Sequence, residues 1–136
     1  MITAVDTNVI SAIWANEPNA SSAESLLTES YARGPLVLCP VVYSELLCHP
    51  AVEPADAEKL LVDADVRIDF DLDQVVWREA GIRFRNYLER RSRDAAPRRF
   101  MADFLIGAHA LRSADRFISF NGADFKRDFP ELTVLP

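Results

Sequence analysis

Residues 2–14 read Ile2-Thr3-Ala4-Val5-Asp6-Thr7-Asn8-Val9-Ile10-Ser11-Ala12-Ile13-Trp14. A short apolar, partly β-branched run stops at an acid, and helical spacing takes over behind it. Ile2–Val5 predicts a first strand, with Asn8 as N-cap of a helix carrying Ile10, Ile13 and Trp14 and broken near Pro18. In an open α/β sheet, an acid placed there falls beyond the carboxyl end of its strand, where such sheets bind ligands. The rest of the chain decides whether such a sheet exists.

It repeats the pattern. Ser21, three residues before Glu24, predicts a capping box and a helix to about Tyr31, stopped by Arg33-Gly34-Pro35. Leu36-Val37-Leu38-Cys39 predicts a second strand buried on both faces. Pro40 suits the first turn of a helix carrying Val41, Val42, Ser44, Glu45 and Leu46, ended by His49-Pro50. Pro54 opens another, with Leu60, Leu61 and Val62 inward. Val66–Phe70 alternates as a third strand. Asp73 caps a long helix with Val76, Ala80, Phe84, Tyr87 and Leu88 at helical spacing. Residues 92–99 predict a polar loop containing Pro97. Phe100–Ser113 predicts a helix with Ile106, Ala110 and Leu111 on one face, and Phe117–Ser119 and Leu132–Leu135 predict two further strands. Strands alternating with helices imply an α/β fold of three layers, α/β/α, around a central, mainly parallel sheet of four to five strands. No repeat or linker interrupts it, so residues 1–136 are expected to form a single domain.

Composition agrees. Of 136 residues, 49% are hydrophobic and 26% charged, as in an ordinary globular chain, with a core large enough to need no staples. No apolar run approaches the roughly 18 residues that span a bilayer. The N-terminus lacks the basic region of a signal peptide, so a cytoplasmic, membrane-free protein is expected. Cys39 and Cys48 are too few for a disulfide framework, and with His49 and His109 they lack structural-zinc spacing; both read as small buried hydrophobes. The net charge is −6, but residues 1–77 carry 13 acids and 3 bases, whereas residues 78–136 carry 8 acids and 12 bases. Eight of the 13 arginines lie between Arg78 and Arg99. Such a strip attracts phosphates or an acidic peptide, or is a solvated helix face.

The acids carry the chemistry. Asp6 follows the first strand, Glu45 sits on the helix after the second, Asp103 opens the helix before the fourth, and Asn121 and Asp124 follow the fourth directly. Glu45 lies among Tyr43, Leu46 and Leu47, and Asp103 among Phe100, Met101, Phe104 and Leu105. Acids in apolar company are paired or hold a metal. Gathered carboxylates repel, and their pKa values rise unless a cation balances them. Oxygen donors without usable Cys or His point to Mg²⁺ or Mn²⁺, and hence to metal-assisted hydrolysis.

Val5-Asp6-Thr7-Asn8-Val9-Ile10-Ser11, Ser44-Glu45-Leu46, Ala102-Asp103-Phe104-Leu105-Ile106-Gly107-Ala108 and Ile118-Ser119-Phe120-Asn121-Gly122-Ala123-Asp124-Phe125 resemble the four motifs of PIN-domain nucleases, in their order and spacing. The resemblance covers essentially the whole chain. Its length and Asp-Thr-Asn opening look most like the ribonuclease toxins of the VapC type. The resemblance implies that Asp6, Glu45, Asp103 and Asp124 are the catalytic, metal-binding acids. Many relatives place an acid where Asn121 stands, and others use the Asp of Asp-Phe; Asp124 is taken as the fourth acid, with Asn121 able to add a neutral oxygen. Thr7 and Ser119 would support the metal or a phosphate, and Asn8 is better suited to capping. The implied activity is a metal-dependent endoribonuclease, the toxin of a type II toxin–antitoxin system, leaving a 5′-phosphate and a 3′-hydroxyl. Implied partners are RNA, a cognate antitoxin whose Arg competes with the metal, and a second copy in a homodimer. Arg85, Arg90, Arg91, Arg98 and Arg99 would hold the RNA backbone.

Competing readings fit less well. A haloacid-dehalogenase-type phosphatase needs an acid near Asn8, and a receiver domain needs a late-strand Lys that neither Lys59 nor Lys126 supplies. Asp69, Asp71 and Asp73 begin like a calcium loop, but Gln74 replaces its Gly and Ala80 its Glu. The remaining alternative is a catalytically inactive PIN-like module that binds RNA or protein.

Overall fold

A computed structural model describes residues 1–94 and 98–136. The chain runs β1 (Thr3–Val5), α1 (Thr7–Trp14), α2 (Ala20–Tyr31), β2 (Leu36–Leu38), α3 (Pro40–Leu47), α4 (Pro54–Asp63), β3 (Val66–Ile68), α5 (Gln74–Asp94), α6 (Met101–Ser113), β4 (Arg116–Ile118), α7 (Gly122–Asp128) and β5 (Val134–Leu135). The strands form one sheet in the order β3-β2-β1-β4-β5, every pairing parallel. Register runs Thr3 to Leu36 on one side of β1 and Thr3 to Arg116 on the other. Helices cover both faces in the expected three layers, because parallel strands buried on both sides need crossover helices.

The order reverses at β1. The chain steps from β1 outward to β2 and β3, then crosses to β4 on the opposite side. The carboxyl ends of β1 and β4 therefore flank the crevice where such sheets place ligands. All of β1 and β2 is buried, as the apolar runs predict. Phe104 packs edge to face against Phe84 and tilted against Tyr87 and Phe129, and Phe117 meets Phe125 edge to face at 4.8 Å. Burying one such ring contributes about 1.5–3 kcal/mol. Gly107 makes that packing possible: a Cβ there would stand 2.3 Å from the Phe129 ring.

Several local expectations are corrected. The N-cap of α1 is Asp6 and not Asn8, because β1 ends at Val5 and the Asp6 carboxylate accepts from the Thr7 amide at 2.8 Å. Asn8 lies inside the first turn, where its Oδ1 accepts from the Phe120 amide at 3.3 Å. Helix α2 starts at Ala20, so Ser21 is helical and caps nothing. On α4 only Ala57 and Leu61 are buried, whereas Leu60 and Val62 face solvent. Leu88 is likewise exposed. Helix α5 continues through Asp94, so residues 92–94 are helical, and Pro97 lies outside the described residues. Strand β5 is shortened to two residues, and α7 is a helix that the sequence pattern did not reveal. Asp73 does cap α5, accepting from the Val75 amide at 2.8 Å. Cys39 is buried, which pushes its thiol up to about 11, but Cys48 is exposed.

Candidate active site

Asp6 sits where β1 hands over to α1, and its carboxylate is held from two sides. The Thr7 amide donates to Oδ1 at 2.8 Å and the Ser119 hydroxyl donates to Oδ2 at 2.7 Å. The Asp6 amide in turn donates to the Ile118 carbonyl at 2.9 Å, the next rung of the β1–β4 ladder. Asp6 is 6% exposed. Burial pushes its carboxyl up from 3.8 to about 6; the bonds from Ser119 and Thr7 oppose the rise, and the charges of Glu45 and Asp103 add to it.

Glu45 reaches the same place from α3. Its Oε1 accepts from the Thr7 hydroxyl at 2.7 Å. Its side chain is exposed, contrary to the enclosure its apolar neighbours suggest, because the helix turns Val42 and Leu46 inward and leaves Glu45 on the cleft side. Asp103 enters from the first turn of α6, where Oδ2 accepts from the Phe100 amide at 3.3 Å. Asp6, Glu45 and Asp103 line one cleft of about 280 Å³, with Thr7, Asn8, Ser11 and Asn121 beside them. The acids of the first three motifs therefore come together, from three separate segments.

The fourth motif divides. Asn121 lines the cleft, and its amide donates to Ser119 Oγ at 3.0 Å. Asp124 lies in the first turn of α7, outside the cleft lining, and its Oδ1 is 3.4 Å from Arg127 Nη1. Ser119 acts on the cleft from beneath, through Asp6.

A divalent cation suits this set. The donors are all oxygens, from carboxylates, hydroxyls and amides, the ligand class of Mg²⁺ and Mn²⁺. Among the described residues no Lys, Arg or His forms an ion pair with Asp6 or Glu45, so a deeply buried carboxylate stands without a counter-charge. Among the described residues no three His, Cys, Asp or Glu side chains converge tightly enough to hold an ion by themselves. Mg²⁺ rarely demands that; it is commonly held by one or two carboxylates, retained waters and substrate phosphate.

The basic strip is less uniform than its sequence suggests. Arg85, Arg91 and Arg98 are exposed, and the Arg98 guanidinium lies 5.5 Å from the Phe100 ring centroid. Arg99 is buried and Arg90 half-buried, both bound to the buried Asp128, so these two are structural and not free to meet a phosphate. Asp128 was not singled out by sequence, though an acid flanked by Phe125 and Phe129 has the same apolar company that flagged Asp103. Asp69, part of the rejected calcium loop, bonds instead to buried His109 at 2.8 Å and to Arg67 at 3.2 Å.

A family model described as PIN domain matches residues 3–128. No curated protein matches. Among solved structures, the chain is similar to VapBC2 from Rickettsia felis bound to a DNA fragment from their promoter, with 21% identity, 99% of this chain and 98% of that chain covered, and a TM-score of 0.73. It is also similar to VapBC-1 from nontypeable Haemophilus influenzae, with 19% identity, 99% and 97% coverage, and a TM-score of 0.70. Among the described residues no helix is long and apolar enough to cross a membrane.

Proposed function

This chain belongs to the PIN domain family, and on that premise we propose that it is a divalent-metal-dependent endoribonuclease acting as the toxin of a type II toxin–antitoxin pair. The observation that carries the proposal is the meeting of Asp6, Glu45 and Asp103 in one cleft at the sheet's reversal point, with no basic side chain among the described residues paired to the first two.

Asp6 and Asp103 would hold the ion, Glu45 would complete its shell or orient a coordinated water, and Asn121 would contribute a neutral oxygen at the rim. Asp124, the acid nominated from the Asp-Phe motif, is assigned no direct ligand role. Bound Mg²⁺ or Mn²⁺ supplies Lewis-acid polarisation of the phosphodiester and a water of lowered pKa. Thr7 fixes Glu45 by its hydroxyl and Asp6 by its amide, so one residue orients two acids. Exposed Arg85, Arg91 and Arg98 would hold the RNA backbone, a sequence-independent contact that positions the strand.

The similar solved structures are VapBC complexes, which supports an antitoxin partner for this chain. An antitoxin Arg placed among these carboxylates would take the cation's position and block cleavage. A homodimer is proposed on the same family grounds. Purified protein is expected to cut RNA with Mg²⁺ or Mn²⁺ and to stop in excess EDTA; undiminished cleavage in EDTA would falsify the proposal. Asn121 at the rim favours one rival, a PIN-like module that binds without cutting. Weak or absent Mn²⁺ binding, with RNA or protein binding retained, would select that rival.

A further inference from the structure

Arg99 lies two residues before α6, and its side chain is 7% exposed. Its amide donates to the Tyr87 hydroxyl at 2.5 Å, and its guanidinium lies 4.8 Å from the Phe125 ring centroid and 5.4 Å from that of Phe104. Nη1 donates to Asp128 Oδ2 at 2.5 Å and to the Asp124 carbonyl at 2.9 Å, while Nε stands 3.7 Å from Asp103 Oδ2. We propose that Arg99 is a positioning residue for Asp103, holding that carboxylate in the orientation that presents its other oxygen to a divalent cation. The proposal rests on the metal-dependent reading above.

Charge balance supports it. Asp128 is already matched by Arg90, whose Nη2 is 2.5 Å from Oδ1. Two guanidiniums therefore share one carboxylate, and Arg99, the more deeply buried of the two, is left with positive charge that a further anion must balance. Among the described residues, Asp103 is the other acid that pairs with Arg99. Direction supports it too: the Phe100 amide donates to Asp103 Oδ2 and Arg99 Nε stands at ion-pair distance from the same oxygen, so both contacts fall on one oxygen of a residue that lines the cleft. The clamp ties the acid to the backbone ahead of α6, to the Asp124 carbonyl on α7 and, through Asp128, to Arg90 on α5. Planar, multiply donating Arg can bridge these acceptors, whereas Lys offers one compact charge.

The test compares wild type with Arg99→Lys by Mn²⁺ titration, read by calorimetry or electron paramagnetic resonance, and by RNA cleavage. Arg99→Lys is expected to bind Mn²⁺ about 10- to 100-fold more weakly, the usual cost of losing a group that orients a metal ligand. Its KM for RNA at saturating Mn²⁺ should be unchanged. Folded Arg99→Lys that binds Mn²⁺ as wild type does overturns the proposal, and so does a raised KM with unaltered metal affinity, which would make Arg99 an RNA contact. A wild type that binds no Mn²⁺ overturns the metal reading itself, and this inference with it. If Arg99→Lys does not fold, the wild type answers by NMR. The Arg99 Nε–H resonance should move on adding Mg²⁺ while that of Arg83, paired with Glu79 and Glu131, stays fixed; an unmoved Arg99 signal overturns the proposal.

Discussion

The Ser119 hydroxyl donates to Asp6 Oδ2 at 2.7 Å across 113 residues of chain, and both residues are buried. That bond joins the ends of β1 and β4 at the sheet's reversal point. Hydrogen bonds to charged groups contribute about 1.5–3 kcal/mol. Ser119→Ala should therefore lower stability by roughly that amount, leave one Asp6 oxygen unsatisfied and push the Asp6 carboxyl higher still. Thermal melts and Mn²⁺ titration check it; an unchanged melt with unchanged metal affinity would mean that the bond carries nothing.

Asp6→Asn is expected to abolish metal-dependent cleavage while making the metal-free protein more stable at neutral pH. The folded carboxyl is raised to about 6 from 3.8, so the ionised form is penalised in the folded state. The penalty is on the order of 2–3 kcal/mol above the folded value and is relieved as pH falls from about 6 towards 4, where the folded state takes up the proton first. The melting-temperature gap between Asp6→Asn and the metal-free wild type should be widest at pH 7 and shrink towards pH 4. A gap that does not vary with pH would contradict this.

Thr7→Val removes the hydroxyl that donates to Glu45 Oε1 at 2.7 Å but keeps the amide that caps onto Asp6. Freed from Thr7, exposed Glu45 should sample several rotamers. Mn²⁺ affinity is expected to fall by about tenfold, with stability altered by no more than about 0.5 kcal/mol, the usual span for surface substitutions. Calorimetry and a urea midpoint separate the two effects.

Gly107→Ala places a methyl 2.3 Å from the Phe129 ring. Overpacking of this kind costs roughly 1–3 kcal/mol. Because Gly107 lies one turn beyond Asp103 on α6, a displaced helix should lower cleavage along with the melting temperature. An unaffected melt would show that the Phe129 ring gives way freely.

The sheet was legible because β1, β2 and β4 are short apolar runs beside recognisable helix starts, and the cleft followed because acids after such strands share one edge. Finer features depended on contacts that no local pattern encodes. Asp6 and Asn8 are both good capping residues, and only the end of β1 decides between them. Helix α7 opens with Gly122 and is anchored mainly by Phe125, too little periodicity to be seen. Its first turn is what sends Asp124 towards Arg127 and leaves Asn121 on the cleft. Arg99 reads as part of a solvated charge run because its burial comes from contacts far along the chain, its shortest ion pair being to Asp128, 29 residues away.

With an amide at the rim, the cleft presents the negative charges of Asp6, Glu45 and Asp103 without a fourth from residue 121. Each anion fewer weakens the field that draws in a dication, and weakens equally the field that turns away a phosphate-bearing strand. The balance shifts from ion capture towards polyanion entry. Half-saturation should therefore require more free Mg²⁺ than an Asn121→Asp version would, while nucleotide chains approach against a lower electrostatic barrier.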